Sequence, residues 1–303
     1  MELINIKGNT FYIKGGTNTG VYLCNNKEAI MIDPGLSGSR PKRIIDMLEQ
    51  KNINLKCIIN THEHNDHYGA CSEFKKWNKD INILASSYSK LYIENPELFS
   101  IYIIGGKTNE FMEGKLKNKL YDDFKIDNVI EEGLYYFENV EFNTIELQGH
   151  TPGSIGVLTK DKVLFIGDVL VGEEILKKFD FLFLFDVGKQ LKSLDKVEKI
   201  DFNYLVLGHG KNVISKEESK KLIHNHRECI KKYTEQIREK LNHPMTLEKL
   251  LKSIIINNNL RYNYKEYHFF KSSLVSVISY LVELGEVKYL LEEGELLYYT
   301  KKK

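Results

Sequence analysis

The sequence predicts a layered α/β protein followed by a small helical, winged-helix-like unit, and three observations carry that reading. Short β-patterned runs alternate with amphipathic helical patterns in the first part of the chain, the order of sheets covered by helices. His and Asp residues recur just past the ends of those runs, where sheet-based folds gather a site from distant sequence. From Ser215 onward the pattern changes to three helices and a terminal hairpin. The chain has 303 residues, against roughly 150 per domain as a working prior. Two units are therefore expected: 1–210, with 86–133 as an inserted helical segment, and 211–303.

Thr10–Lys14 and Gly20–Cys24 read as a hairpin pair, followed by Glu28–Ile32 and the turn Asp33-Pro34-Gly35. Ile44, Ile45, Met47 and Leu48 then recur at helical spacing. Leu55–Asn60 is a short, mostly apolar run of the kind buried in a sheet. A His-rich loop at 62–67 follows, then a helix over Tyr68–Asn78 and a strand over Ile81–Leu84. The inserted segment carries Tyr88, Leu91, Tyr92, Leu98, Phe99, Tyr102, Phe111 and Met112 around Gly105-Gly106, too apolar for a solvated linker. Packing or a homo-oligomer contact is the expectation for these aromatics, ahead of a substrate box; a lid is the other role weighed for the segment. Strands resume at Leu134–Phe137, Val140–Leu147, Gly156–Thr159, Lys162–Ile166 and Phe202–Leu207. Ser215 with Glu218 has capping-box spacing and opens a helix to about Leu241. Asn242–Pro244 breaks it, Thr246 caps Leu247–Ile256, Tyr264–Leu284 is a third helix, and Val287–Leu290 with Leu296–Thr300 close a hairpin around Glu293-Gly294.

Composition excludes several classes. At 42% hydrophobic and 28% charged, the chain has ample core material and no signature of long disorder. No stretch approaches the roughly 18 uninterrupted apolar residues of a membrane span, and the N-terminus shows no secretory pattern. Cys24, Cys57, Cys71 and Cys229 are scattered without a CxxC pair, which suits free thiols in the cytoplasm. The net charge is +1. The first 210 residues are mildly acidic and the rest mildly basic, with Lys301–Lys303 supplying much of the excess, too small an asymmetry to demand nucleic acid.

The strongest signal is His62-Glu63-His64-Asn65-Asp66-His67, directly after the run Leu55–Asn60. Neutral imidazole and carboxylate suit zinc, iron and manganese. In an extended loop alternate residues point the same way, so His62 and His64 can aim together. Four donors from one loop exceed what one open catalytic metal needs, which suggests two. Further candidates follow predicted strands: His150 in Gly149-His150-Thr151-Pro152-Gly153, Asp168 in Gly167-Asp168, and His209 in Gly208-His209-Gly210.

This series resembles the metallo-β-lactamase superfamily and, within it, the glyoxalase-II-like hydrolases with their Thr-His-x-His-x-Asp-His loop. The resemblance covers roughly residues 1–210, with every metal motif present and in order. It implies an αββα sandwich with a dinuclear site along one edge. His62, His64 and His150 would hold the first metal, Asp66, His67 and His209 the second, and Asp168 would bridge. Asp33 matches a position that supports the site by orienting a ligand imidazole. The expected chemistry is attack by a metal-bridging hydroxide on a small ester, thioester or lactone, with Asp66 orienting the nucleophile or relaying its proton. Two zinc ions are the expected cofactors, with iron or manganese also compatible.

Two other functions fit the layout less well. Lactamase-like endoribonucleases carry a similar C-terminal unit and would cleave single-stranded RNA, but the basic excess here is modest. A mononuclear iron persulfide dioxygenase uses a related scaffold. Elsewhere the structural reading is preferred: His224 and His226 do not share a helix face, His243 and His268 read as structural, Cys71 as packed beneath the loop, and Ser154 as a turn residue.

Overall fold

The computed structural model describes residues 1–24, 27–116, 124–137, 140–210 and 213–301. Residues 117–123 of the expected insertion lie outside the described residues. The first sheet has seven strands in sequential order: β1 (Ile4–Lys7), β2 (Thr10–Ile13), β3 (Thr19–Leu23), β4 (Glu28–Ile32), β5 (Asn54–Ile59), β6 (Asn82–Ala85) and β7 (Asn128–Val129). Neighbours are antiparallel up to β4 and parallel from β4 to β7. Parallel neighbours need a crossover connection, usually helical. The helices α1 (Ser39–Gln50), α2 (Asn65–Tyr68) and α3 (Cys71–Trp77) lie in two of these connections. The helix expected over Tyr68–Asn78 is thus two helices, interrupted at Gly69-Ala70 where Ala70 N donates to Gly35 O.

Between β6 and β7, where the insertion is expected, the described residues form α4 (Ser87–Glu94), α5 (Glu97–Ile104) and α6 (Glu110–Leu116). Ser86 caps α4 by accepting from Ser89 N, and Gly105 ends α5 at φ 85°. The second sheet runs β13-β12-β11-β10-β9-β8. Its strands are β8 (Gly133–Phe137), β9 (Val140–Glu146), β10 (Ile155–Thr159), β11 (Val163–Phe165), β12 (Tyr204–Val206) and β13 (Val213–Ser215). Two helices between β11 and β12 escape the sequence reading, α7 (Glu173–Lys178) and α8 (Val187–Lys199). The signal for α8 is present: Asp186 accepts from Lys189 N at the cap, and buried Val187, Leu194 and Val197 share a helical stripe.

Strand alternation divides the core. Along β4, Ala29 and Met31 face α1 and α3 beside Ile44, Leu48 and Phe74. Ile30 and Ile32 face the second sheet, meeting Ile155, Val157, Val163 and Phe165. On that sheet's far side Leu164, Leu205 and Leu207 pack with Leu194, Val197 and Ile223. The layers are therefore helix, sheet, sheet, helix, an αββα sandwich.

The C-terminal part comprises α9 (Lys216–Lys240), α10 (Leu247–Asn257), α11 (Tyr264–Glu283), β14 (Val287–Glu292) and β15 (Glu295–Thr300). Ser215 and Glu218 complete a reciprocal capping box on α9. Thr246 and Asn263 cap α10 and α11. Leu250, Leu251, Leu274 and Val277 join the same apolar cluster as Leu164 and Leu205, so these helices extend the outer layer of the second sheet. Among the described residues the four cysteines form no disulfide, and Cys71 is fully buried with its Sγ 3.4 Å from Asn60 Oδ1. Among the described residues no helix is long and apolar enough to cross a membrane.

Candidate metal centre

The candidate residues meet along one edge of the sandwich because each lies just past a strand end. Asp33 follows β4, Thr61 and His62 follow β5, His150 follows β9, Asp168 follows β11, and His209 follows β12. Their donor atoms form two groups, His62, His64, His150 and Asp168 in one and Asp66, His67 and His209 in the other, with all atoms of a group within 4.8 Å of one another. The backbone must pass close for this to happen. A Cβ at Gly208 would collide with the Asp168 carboxylate and the His67 ring, so glycine is required there.

Four of the imidazoles are oriented from behind. Thr61 Oγ1 donates to Asp33 Oδ2 at 2.6 Å and lies 3.1 Å from His62 Nδ1, from which it can then only accept. His67 Nδ1 donates to Asp33 Oδ2 (2.7 Å), His150 Nδ1 to Phe183 O (3.1 Å) and His209 Nδ1 to Gly16 O (2.6 Å). A neutral imidazole that donates from Nδ1 carries its lone pair on Nε2. All four Nε2 atoms therefore turn acceptors toward the site.

What they meet there is more acceptors. His209 Nε2 is 2.9 Å from Asp66 Oδ2 and 3.3 Å from Asp168 Oδ2, while His67 Nε2 is 3.4 Å from Asp168 Oδ1 and 3.3 Å from His209 Nε2. His150 Nε2 lies 3.0 Å from His64 Nδ1. His62 Nε2 and His64 Nε2 are buried and have no hydrogen-bond partner among the described residues. Lone pairs that converge in this way call for positive charge, from a proton on Nε2 or from a bound cation, and this donor set of imidazoles and carboxylates fits divalent metal ions.

The electrostatics say the same. Burial, reinforced by neighbouring imidazoles, pushes His62 well below the usual histidine range and His64 down to about 3. Burial also depresses His150, with Asp168 opposing. Burial pulls His67 and His209 down too, but Asp168 and its fellow carboxylates overcome it and raise them to about 10 and about 12. Asp168 is held well below its usual range, because His209 and His67 outweigh the cost of burial. Positive charge is thus favoured where the two acceptor groups meet.

Asp33 sits at φ 52°, a left-handed conformation uncommon outside glycine. There its two oxygens take three donors: Thr61 N at 2.7 Å, Thr61 Oγ1 and His67 Nδ1. Arg40 braces the same turn through Pro34 O and Thr19 Oγ1, both at 2.9 Å.

Glu63 was not among the expected site residues. If His62 and His64 face one way along an extended loop, Glu63 faces the other, into the protein. Its buried carboxylate accepts from Ser89 Oγ (2.9 Å), Thr151 Oγ1 (3.0 Å) and Gly153 N (3.3 Å). It ties the 62–67 loop to the 150–154 turn and to α4. Ser154 serves that turn, its Oγ 2.8 Å from Thr151 Oγ1. His226 is a core residue, and His224 and His243 are exposed and belong to neither group.

A cavity of about 470 Å³ opens onto the centre, touching His64, Asp66, His150 and Asp168. Tyr92 and Phe99 line it, so part of the aromatic cluster for which packing or a subunit contact is expected ahead of a substrate box walls this cavity. The sequence placed these rings on helices but could not show which face turns toward the 62–67 loop.

Residues 13–209 match the metallo-beta-lactamase superfamily. Hydroxyacylglutathione hydrolase GloC of Haemophilus influenzae is 30% identical over 152 residues, 48% of this chain and 63% of that protein. Hydroxyacylglutathione hydrolase 1 of Vibrio vulnificus is 30% identical over 185 residues, 60% of each. The chain spans about three fifths of the length of these relatives. Among solved structures, a beta-lactamase domain protein from Burkholderia ambifaria superposes with TM-score 0.77 at 13% identity, covering 99% of this chain and 94% of that one. A metallo-beta-lactamase family protein from Thermus thermophilus gives TM-score 0.68 at 16% identity, covering 94% of each. These structural likenesses speak for the fold. The sequence match spans both donor groups and every strand that carries them, and the chain belongs to the metallo-beta-lactamase superfamily.

Proposed function

We propose that this protein is a dinuclear metal-dependent hydrolase of a small ester, thioester or lactone, with zinc as its metal. The superfamily and the hydroxyacylglutathione hydrolase relatives imply a site for two divalent ions. The carrying observation is the convergence of four Nε2 lone pairs and two carboxylates at the mouth of a cavity of about 470 Å³. His62, His64 and His150 would hold one ion, Asp66, His67 and His209 the other, with Asp168 between them. A pair of divalent ions supplies hydroxide near neutral pH and polarises the substrate oxygen.

The chain's own residues do the rest. Asp66, about a third exposed at the cavity, orients the attacking water and accepts its proton on the carboxylate. Asp33, Gly16 O and Phe183 O fix the tautomers of His67, His209 and His150, so that, neutral, none of these three presents an N–H to the nucleophile. Water adds to the acyl carbon, the C–S or C–O bond breaks, and thiol or alcohol leaves with a proton while the acid departs as carboxylate. The aromatic wall and a volume of about 470 Å³ suit a compact organic acyl group better than a polyanionic strand.

Elemental analysis of purified protein, with a panel of thioesters, lactones and a phosphodiester, tests this reading. Close to two zinc ions per chain with turnover of an acyl substrate is the expected result. Turnover of the phosphodiester alone, or a single iron with oxygen consumption, would overturn it.

A further inference from the structure

The cavity beside the centre has two kinds of wall. One is the donor set, through His64, Asp66, His150 and Asp168. The other is aromatic and draws on three separate parts of the chain: Phe99 from α5, Phe183 from the loop before α8, and Phe269 from α11. Phe269 meets Phe183 at 4.7 Å between centroids and Phe99 edge-on at 6.1 Å. Phe99 and Phe183 in turn approach His64 at 5.5 and 5.7 Å, and Phe183 lies 5.8 Å from His150. The aromatic wall therefore abuts the imidazoles, so a flat apolar group held against it lies beside the reacting centre.

Lys265 is the one lysine or arginine among the described lining residues. It stands one turn before Phe269 on α11, with Nζ 5.3 Å from that ring's centroid. Beyond that contact with the Phe269 ring the fold gains little from a cation there, on two observations. Lys265 lies in the first turn of a 20-residue helix, where the macrodipole disfavours positive charge. Among the described residues it has no carboxylate within 4.0 Å. A half-buried ammonium against an aromatic wall is stabilised by an anion.

We propose that Lys265 anchors an anionic group of the substrate while Phe99, Phe183 and Phe269 hold an apolar body between that group and the scissile carbonyl. The substrate class is then an aromatic or similarly compact acyl ester or thioester bearing one carboxylate or phosphate on its acyl part. The C-terminal helix α11 is by this reading part of the specificity pocket. This deepens the hydrolase reading and rests on it.

The test compares three N-acetylcysteamine thioesters, a neutral leaving group throughout: phenylacetyl, its para-carboxylate and its para-phosphonate. Zinc-loaded protein is expected to favour a charged acyl group by on the order of tenfold in kcat/KM over the neutral one, chiefly through KM. Whichever charged arm leads identifies carboxylate or phosphate. In Lys265→Met that ratio falls to near one, and in Lys265→Arg much of it returns. The carbonyl-reduced thioether analogues are titrated by calorimetry in parallel. Absence of turnover with all three esters would count against the hydrolase reading, while tighter binding of the anionic thioether, lost in Lys265→Met, would still support the anchor. Equal binding of neutral and anionic analogues, or an anionic preference that survives in Lys265→Met, overturns the proposal.

Discussion

Asp33 Oδ2 lies 2.7 Å from His67 Nδ1, and both side chains are buried. A carboxylate can only accept, so this contact fixes which nitrogen of His67 faces the candidate metals. The same carboxylate takes two donors from Thr61. Asn at this position would turn an NH2 toward donors. Asp33→Asn is therefore expected to lower metal affinity about 10- to 100-fold. Competition against a chromophoric chelator measures it; unchanged affinity would show that His67 needs no such orientation.

Glu63 makes a second prediction. Burial raises its pKa, and hydroxyl and amide donors from Ser89, Thr151 and Gly153 oppose that rise. Glu63→Ala strands those donors and leaves a void between the 62–67 loop and the 150–154 turn. A loss of roughly 3 kcal/mol in unfolding free energy is expected. Glu63→Gln keeps the shape and loses less. Chemical denaturation of all three proteins gives the ranking, and Ala matching wild type would remove Glu63 from the scaffold.

The sequence exposed the layered fold and the donor set for the same reason: both are local patterns. Strand periodicity places Ile30 and Ile32 opposite Ala29 and Met31, and the motif around His62 is contiguous. The pocket was not legible in that way. Phe99, Phe183 and Phe269 are separated by 84 and then 86 residues and meet only through the packing of α11 on α5. Glu63 was legible in principle, through strand alternation, but is eclipsed by its histidine neighbours. No element is read from the sequence between Ile166 and Phe202, although Asp186 at the cap and the spacing of Val187, Leu194 and Val197 carry the signal of α8.

His64→Ala and Asp168→Ala are expected to abolish hydrolysis and to lower metal content while leaving the secondary structure intact. Both side chains sit among the polar donor atoms of the centre, so their removal takes away ligands and no apolar core contact. Chelation of the wild type should remove activity, and added zinc should restore it. Full activity in either variant, with metal content unchanged, would break the link between these residues and the reaction.

His226 gives a pH prediction away from the donor groups. It is 1% exposed, donates from Nδ1 to Leu222 O at 2.9 Å, and accepts at Nε2 from Val171 N at 3.0 Å. It thereby pins the segment just past Asp168 to α9. Burial lowers its pKa to about 4, against a weaker upward pull from Leu222 O. The unfolded chain, with histidine near 6.5, binds the extra proton first as pH falls. The neutral ring's contribution is therefore fully present above about pH 6.5 and is lost on acidification toward pH 4. A shift of that size corresponds to about 3 kcal/mol as a ceiling. The difference in unfolding free energy between wild type and His226→Gln should shrink steadily from pH 7 to pH 4.5, because glutamine does not titrate. A difference that stays constant over that range would mean that the folded protein takes up the proton as readily as the unfolded chain, contrary to the acceptor role toward Val171 N.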